Sequence, residues 1–164
     1  MVKFYLKLSA TLEAVTNVEP LDTPTTPYEY TFTIECTKCR HTHEKPVNIN
    51  RFESHEITGS RGEASFVFRC KECKSEHSAT LTRTSKTLTA EDAEANKAAA
   101  LLEIDARGVE FLEFLPEGRF MAVGSESGTK FDEVDLEDGE WYDYDDKAGA
   151  EVSVTECKWE ISRS

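Results

Sequence analysis

Two Cys-x-x-Cys pairs constrain this chain more strongly than any other feature of its sequence. Cys36 and Cys39 form the first pair, and Cys70 and Cys73 form the second after thirty intervening residues. A spacing of two residues lets both thiolates of a pair reach one ion from a single tight turn. Two such turns supply the four sulfur ligands of a tetrahedral structural zinc site. The sequence therefore predicts one Zn²⁺ bound by all four cysteines.

Each cysteine pair follows a segment with the aromatic and β-branched residues of a strand, "FTIEC" in the first case and "FVFRC" in the second. This arrangement is typical of a zinc ribbon, in which the tips of two hairpins hold one ion. We therefore predict a ribbon-like element over residues 34–82. Bases near the pairs would offset the negative charge of zinc with four thiolates, and they are Lys38, Arg40, Arg69, Lys71 and Lys74.

Histidines near the cysteines are an alternative source of ligands. His41 and His77 each follow a cysteine pair at a short distance. Because four thiols already complete a tetrahedral shell, we expect both imidazoles to face solvent or to lie beside the site without binding the ion.

Two other uses of the cysteines stay open as alternatives. A Cys-x-x-Cys pair can be a redox dithiol, although such pairs usually lie at a helix N-terminus, which lowers the thiol pKa. Thiolates also bind soft ions such as Cu(I), so the site could transfer a metal. The fifth cysteine, Cys157, lies in an alternating segment without a nearby cysteine. We expect it to be a buried or half-buried strand residue with no ligand role.

The sequence predicts no enzymatic activity and no catalytic residue. A closed four-cysteine site has no open coordination position, which disfavours hydrolytic zinc chemistry. The chain also lacks a Gly-rich phosphate loop and a Ser/His/Asp arrangement, and "GSESG" at 124–128 does not have serine in the central position of a nucleophile elbow. The expected function is therefore protein–protein interaction by a zinc-stabilised protein.

The charge of the chain is strongly negative and unevenly distributed. Its net charge is −13, and residues 109–164 contribute 16 acids and 5 bases. Nucleic-acid binding depends on neutralising phosphates, so this composition argues against it. A nucleic-acid-binding ribbon would have to use Lys38, Arg40, Arg61, Arg69, Lys71 and Lys74. No apolar run is long enough for a membrane span or a signal peptide, so we expect a reducing, cytoplasmic location that is also compatible with the nucleus.

Short alternating segments predict a mostly β fold, a sandwich or distorted barrel of short antiparallel strands with little helix. The first fifteen residues alternate regularly, "YEYTFTIEC" places Tyr28, Tyr30, Phe32 and Ile34 on one face, and "VNINRFESHEI" indicates a weaker strand. We predict a loop at "NVEPLDTPTTP", a turn at 59–62, a helical turn or loop near 89–96 with Thr89 as N-cap, and a strand over roughly 99–106. Gly108 permits a turn or a bulge, and further strands are predicted at "VEFLEFLP", "RFMAVG", "KFDEVDL" and "EVSVTECKWEI". The length suits a single domain over 1–164.

Residues 131–146 combine nine acids with Trp141, Tyr142 and Tyr144. The order of the acids does not match a calcium-binding loop. We expect an acidic surface loop, which could also serve as a docking surface for a basic protein partner because Trp and Tyr are frequent interface anchors.

Several motifs together resemble one known family. They are "LKLSATLEAVTNVEP", "CTKC", "GSRGEASFVFRCKECKSE", "RGVEF" and "ESGTKFDEVDLEDGEWYDYDDKAGAEVSV". The chain resembles the CXXC motif-containing zinc-binding proteins, a eukaryotic family. The resemblance implies a mostly β, sandwich-like body with one zinc on the Cys36/Cys39 and Cys70/Cys73 pairs, and it implies no established enzymatic activity.

Overall fold

Antiparallel β-sheet dominates the chain, which is 58% strand and 3% helix in a computed structural model. The structure describes residues 2–57 and 62–163. In chain order the strands are β1 (Val2–Glu13), β2 (Val15–Pro20), β3 (Glu29–Cys36), β4 (Val47–Asn50), β5 (His55–Glu56), β6 (Glu63–Ala64), β7 (Phe66–Arg69), β8 (Glu76–Arg83), β9 (Ala99–Arg107), β10 (Val109–Leu115), β11 (Phe120–Gly124), β12 (Lys130–Val134), β13 (Trp141–Asp145) and β14 (Ala150–Ser162). The prediction of a mostly β fold with little helix is confirmed.

The largest sheet has six strands in the order β13-β14-β1-β9-β8-β7, and it curls into a half-barrel. Strand β1 lies inside this sheet because Phe4, Leu6 and Leu8 alternate onto its buried face. The register of β1 shifts once against β14 and once against β9. Such bulges increase the local twist of a strand, which suits the curl of this sheet.

Two three-stranded sheets pack with the half-barrel around a common hydrophobic core, in the orders β10-β3-β4 and β12-β11-β2, and β5 pairs with β6. Aromatic rings link these layers: the ring centroid of Phe111 of β10 lies 6.3 Å from that of Phe4 of β1, and the ring centroid of Phe114 lies 4.7 Å from that of Trp159 of β14. All four side chains of the predicted apolar face of β3 are buried. This packing fixes β3, whose last residue is Cys36.

The predicted loop at "NVEPLDTPTTP" is wrong in its first part, because β2 includes Asn17 to Pro20. Val18 and Pro20 are buried, and β2 is the edge strand of its sheet beside β11, where proline is tolerated at a strand end. The predicted strand at "VNINRFESHEI" is shorter than expected and divides into β4 and β5. The turn predicted at 59–62 lies outside the described residues, except for Gly62.

The helical turn is confirmed as α1 (Ala90–Glu94), the helix in the described part of the chain. The Thr89 hydroxyl accepts a hydrogen bond from the Asp92 backbone N–H at 3.1 Å, and the Asp92 carboxylate accepts one from the Thr89 N–H at 3.4 Å. This is a capping box. No helix of the described residues is long and apolar enough to cross a membrane.

Residues 131–146 are not a single acidic loop: they contain most of β12, which confirms the strand predicted at "KFDEVDL", and all of β13, which was not predicted. Strand β13 is an edge strand of the six-stranded sheet and pairs with β14. Its alternation is hard to detect in the sequence because Tyr142, Asp143 and Tyr144 are all exposed. Phe131 packs edge-on against Trp141 at 5.4 Å and joins the two strands.

A buried carboxylate, Asp145, ends β13 and organises the turn between β11 and β12. It accepts hydrogen bonds from the hydroxyls of Ser127 and Thr129 and from the backbone N–H groups of Lys147 and Ala148. The Ser127 hydrogen bond is the main reason that the pKa of Asp145 is lowered. The charged form is therefore favoured in the folded state.

We expect Asp145→Asn to lower the melting temperature by about 5 °C or more at pH 7. A lowered folded-state pKa stabilises the fold above the unfolded pKa of about 4, and this contribution is lost as the pH falls through the folded-state value. The difference between wild type and variant should therefore shrink below about pH 4. Thermal unfolding from pH 3 to pH 7 measures it, and Asp132→Asn, on an exposed carboxylate, is the control. An equal fall in melting temperature for both variants would contradict a stabilising role for the buried Asp145 carboxylate.

Candidate metal centre

The first cysteine pair lies in a tight turn that directly follows β3, which we call the first knuckle (residues 36–41). The Cys36 N–H donates to the His41 carbonyl at 3.0 Å, and the Arg40 N–H donates to the Cys36 carbonyl at 2.9 Å. Arg40 has a φ of 63°, the left-handed conformation that closes such a turn. A bridge between Glu35 and Thr42 then brings the chain back beside β3.

The second knuckle (residues 70–75) repeats this geometry at the tip of the β7–β8 hairpin. The Cys70 N–H donates to the Ser75 carbonyl at 2.9 Å, and the Lys74 N–H donates to the Cys70 carbonyl at 3.0 Å. Lys74 has a φ of 64°, matching Arg40 of the first knuckle. The two turns therefore present their cysteines in the same way, as their identical spacing predicts.

The two knuckles bring all four predicted cysteines into one cluster. Their sulfur atoms lie within 4.8 Å of one another. The Cys36 and Cys73 sulfurs are 3.6 Å apart, and those of Cys39 and Cys70 are 3.7 Å apart. Sulfurs around a tetrahedral ion with Zn–S bonds of about 2.3 Å lie about 3.8 Å apart. The donor set thus fits one zinc ion, which the four cysteines are positioned to hold.

The four cysteines differ in burial, and the two knuckles follow strands of different sheets. Cys36 and Cys70, the first cysteine of each knuckle, are buried, whereas Cys39 is exposed and Cys73 is half-buried. The first knuckle follows a strand of the β10-β3-β4 sheet, and the second follows β7 of the six-stranded sheet. An ion bound here would therefore join two sheets.

The thiols differ in their acidity. Hydrogen bonds from the side chain and backbone of Ser75 lower the pKa of Cys73 to about 6. A backbone hydrogen bond from His41 favours the Cys39 thiolate, but partial desolvation of this sulfur and its hydrogen bonds with the three other cysteines outweigh it and raise the pKa of Cys39 to about 12. Four thiolates this close repel one another unless a cation neutralises them. The chemistry of the cluster therefore favours a bound divalent ion.

Bases near the knuckles bind carboxylates. Arg40 lies 3.4 Å from a Glu110 oxygen and 3.8 Å from a Glu35 oxygen, and Arg69 lies 3.7 Å from Glu76. Arg40 therefore ties the first knuckle to β3 and β10, and Arg69 links β7 to β8 beside the second knuckle. Arg61, one of the bases named for nucleic-acid binding, lies outside the described residues.

One histidine lies four residues beyond the second cysteine of each knuckle. It is His43 for the first knuckle and His77 for the second, so the equivalent of His77 is His43 and not His41. Both rings pack against Phe68, with centroids at 4.3 Å for His43 and 6.1 Å for His77. Burial lowers the pKa of each, so both imidazoles are favoured in the neutral form. His77 is buried and lies beside the second knuckle without belonging to the cluster, which is one of the two expected arrangements. Among the described residues no histidine belongs to the metal-binding cluster.

Gly108, in the turn between β9 and β10, contacts Thr37 of the first knuckle and lies beside His77, which follows the second knuckle. Its carbonyl accepts a hydrogen bond from the Thr37 N–H of the first knuckle at 3.1 Å. A Cβ atom at this position would lie 2.7 Å from Nδ1 of His77, and its φ is +78°. The sequence predicted a turn here but gave no sign of this contact, because the two residues lie far apart in the chain.

Cys157 lies outside the cluster, on β14. It is half-buried against the core, and burial raises the pKa of its thiol to about 11. The prediction of a half-buried strand residue is confirmed.

Known proteins resemble this chain over almost its full length. The family described as CXXC motif containing zinc binding protein, eukaryotic, matches residues 5–162. A UPF0587 protein of Schizosaccharomyces pombe is 40% identical over 164 residues, covering 100% of both chains. The human protein named CXXC motif containing zinc binding protein is 37% identical over 157 residues, covering 95% of each.

Solved structures share this fold. The crystal structure of C1orf123 superposes with a TM-score of 0.89 at 32% identity, covering 99% of both chains. A hypothetical protein from Plasmodium falciparum has a TM-score of 0.85 at 22% identity, covering 99% of this chain and 100% of that one, which shows likeness of fold alone. With its paired knuckles and four clustered cysteines, this chain belongs to the eukaryotic family of CXXC motif containing zinc binding proteins.

Proposed function

We propose that the protein is a non-enzymatic, zinc-stabilised β protein that binds a basic partner protein. The closed cluster of four sulfurs is the observation that supports a structural, non-enzymatic role for the zinc ion. Four thiolates leave a zinc ion no open coordination position for a substrate or a water nucleophile. An ion that joins two sheets instead contributes its binding free energy to folding.

The proposed binding of a basic partner rests on one surface of the protein. We call it the acidic aromatic face, and it is formed by Glu13, Tyr142, Tyr144 and Glu151. The side chain of Tyr142 is 65% exposed and that of Tyr144 is 49% exposed. These residues border a shallow cavity of about 440 Å³ on β13 and β14. Large aromatic side chains kept in water on an edge strand favour an interaction site.

Charge complementarity favours a Lys- or Arg-rich partner for this face. Residues 109–164 carry 16 acids against 5 bases, and a tyrosine ring attracts a cation placed over it. The Asp143 carboxylate accepts a hydrogen bond from the Tyr144 N–H at 2.7 Å. This contact occupies a backbone donor on the edge strand and hinders pairing with another strand. The partner should therefore bind the side chains and not extend the sheet.

We expect the double substitution Tyr142→Ala/Tyr144→Ala to weaken binding of a Lys/Arg-rich synthetic peptide at least tenfold while zinc content and melting temperature stay unchanged. Fluorescence anisotropy at low salt measures the affinity, which should fall as salt is added. Phe52→Ala/Leu112→Ala, which also removes two exposed apolar side chains, is the matched control. Equal loss in both variants, or no peptide binding to the wild type, would contradict the proposal.

Transfer of a soft metal is a second candidate function, and the exposure of Cys39 favours it. An exchangeable site should react with an alkylating reagent while the protein is folded and metal-loaded, whereas a structural site should not. A redox dithiol is less favoured, because both pairs follow strands and neither lies at a helix N-terminus.

A further inference from the structure

A cleft beside the start of β9 carries three lysines on a chain whose net charge is −13. Its volume is about 720 Å³, within the usual range of small-molecule sites. We call it the basic cleft, and its polar lining comprises Tyr5, Lys7, Ser85, Lys86, Thr87, Thr89, Asp92 and Lys97. The lining contains three lysines and one carboxylate, Asp92, which already accepts a hydrogen bond in the helix cap. The cleft is therefore locally positive.

Two of these lysines have no carboxylate partner. Neither Lys86 nor Lys97 forms an ion pair within 4.0 Å among the described residues, whereas Lys3, Arg40 and Arg83 do form such pairs. Both lysines are exposed. On a chain with 32 acids, two unpaired lysines that line one cleft remain available for an anion.

The backbone beneath these lysines is held by hydrogen bonds. The Lys97 N–H donates to the Asp92 carbonyl at 2.8 Å, and the Lys86 N–H lies 3.2 Å from the Thr84 hydroxyl. Leu88 and Val18 exchange two backbone hydrogen bonds at 2.9 and 3.0 Å, which attach the loop before α1 to β2. Binding an anion here would therefore require ordering of side chains but little ordering of the backbone.

A β-bulge on β9 lies beside the cleft. The register between β1 and β9 passes from Leu6↔Leu102 to Lys7↔Ala100, so Leu101 is the extra residue on β9. Its carbonyl accepts a hydrogen bond from the Thr84 N–H at 3.1 Å. Bulges often lie beside binding sites, where they redirect a side chain. Here the bulge lies opposite Lys7.

We propose that the basic cleft binds a phosphate-bearing small molecule. Lys86 and Lys97 supply the charge, and the hydroxyl of Ser85 lines the same cavity and can donate a hydrogen bond to a phosphate oxygen. Tyr5 and the short side chains of residues 98–100 form a less polar wall for the organic part of the ligand. This inference does not depend on the proposed protein partner.

Amide chemical-shift mapping on the zinc-loaded full-length protein tests the proposal, with inorganic phosphate, adenosine monophosphate and adenosine as probes. We expect inorganic phosphate or the nucleotide to shift amides at 84–89 and 96–100, and adenosine alone to leave them unchanged. Lys86→Gln/Lys97→Gln should weaken binding at least tenfold. Lys130→Gln/Lys147→Gln removes the same charge from exposed positions elsewhere and should keep the affinity within about twofold.

Three results would overturn the proposal. They are the absence of shifts at the cleft with both phosphate probes, equal loss of binding in the two double variants, and binding of adenosine as tight as that of its monophosphate. Melting temperatures of both double variants should equal that of the wild type, because all four lysines are exposed.

Discussion

Replacing Cys70 by serine should remove the bound zinc and unfold both knuckles. Cys70 is completely buried and contributes one of the four clustered sulfurs. Structural zinc contributes on the order of 10 kcal/mol in small peptides, comparable with the total stability of a typical domain of about 5–15 kcal/mol. A serine hydroxyl is a poor zinc ligand at neutral pH, so most of this contribution should be lost.

Thermal unfolding and hydrogen exchange measure this effect. We expect the melting temperature of Cys70→Ser to fall by about 15 °C or more, and amides at 36–41 and 70–75 to lose their protection. Cys157→Ser, which changes the cysteine outside the cluster, should keep the zinc and these protected amides. Unchanged protection in Cys70→Ser would mean that the knuckles fold without the ion.

Gly108→Ala should destabilise the metal centre although Gly108 holds no ligand atom. Its φ of +78° disfavours alanine by about 1–2 kcal/mol, and contact with His77 at 2.7 Å should add about 1–3 kcal/mol of overpacking. Gly128 has a φ of +72°, and a Cβ atom added there would meet no other atom within 4 Å. Gly128→Ala is therefore the control that introduces backbone strain without overpacking.

Urea unfolding of the zinc-loaded protein measures both glycine variants, and competition with a chelator measures their zinc affinity. We expect Gly108→Ala to lose both stability and zinc affinity, since the Gly108 carbonyl accepts the Thr37 N–H of the first knuckle. Gly128→Ala should lose stability only. Equal effects of the two substitutions on zinc affinity would contradict a role for the Gly108 turn in the site.

The features that the sequence predicted are those determined by local patterns. The spacing of the cysteines within each knuckle, the alternation of β1 and the Thr89 cap each depend on neighbouring residues, and all three were predicted. The alternation of β13 was obscured because three consecutive residues of this edge strand face water. In β2, proline and asparagine resembled loop residues although Val18 belongs to the core.

Contacts between distant segments could not be predicted. Gly108 meets His77 only because β8 and β9 pair, with Ser78 opposite Arg107. Likewise, the three lysines of the basic cleft come from different segments, which the pairing of β1 with β9 brings together. The spacing of either set in the sequence contains no information about its proximity in the fold.

Native mass spectrometry of the wild-type protein purified without added metal tests the central claim most directly. Four clustered thiolates that bind a structural ion should retain one zinc per chain through purification. We therefore expect a single species with one zinc, and unfolding of the protein when a strong chelator removes it. Copper, a variable metal load, or a metal-free protein that stays folded with reactive thiols would contradict a structural zinc site and favour metal transfer or redox chemistry.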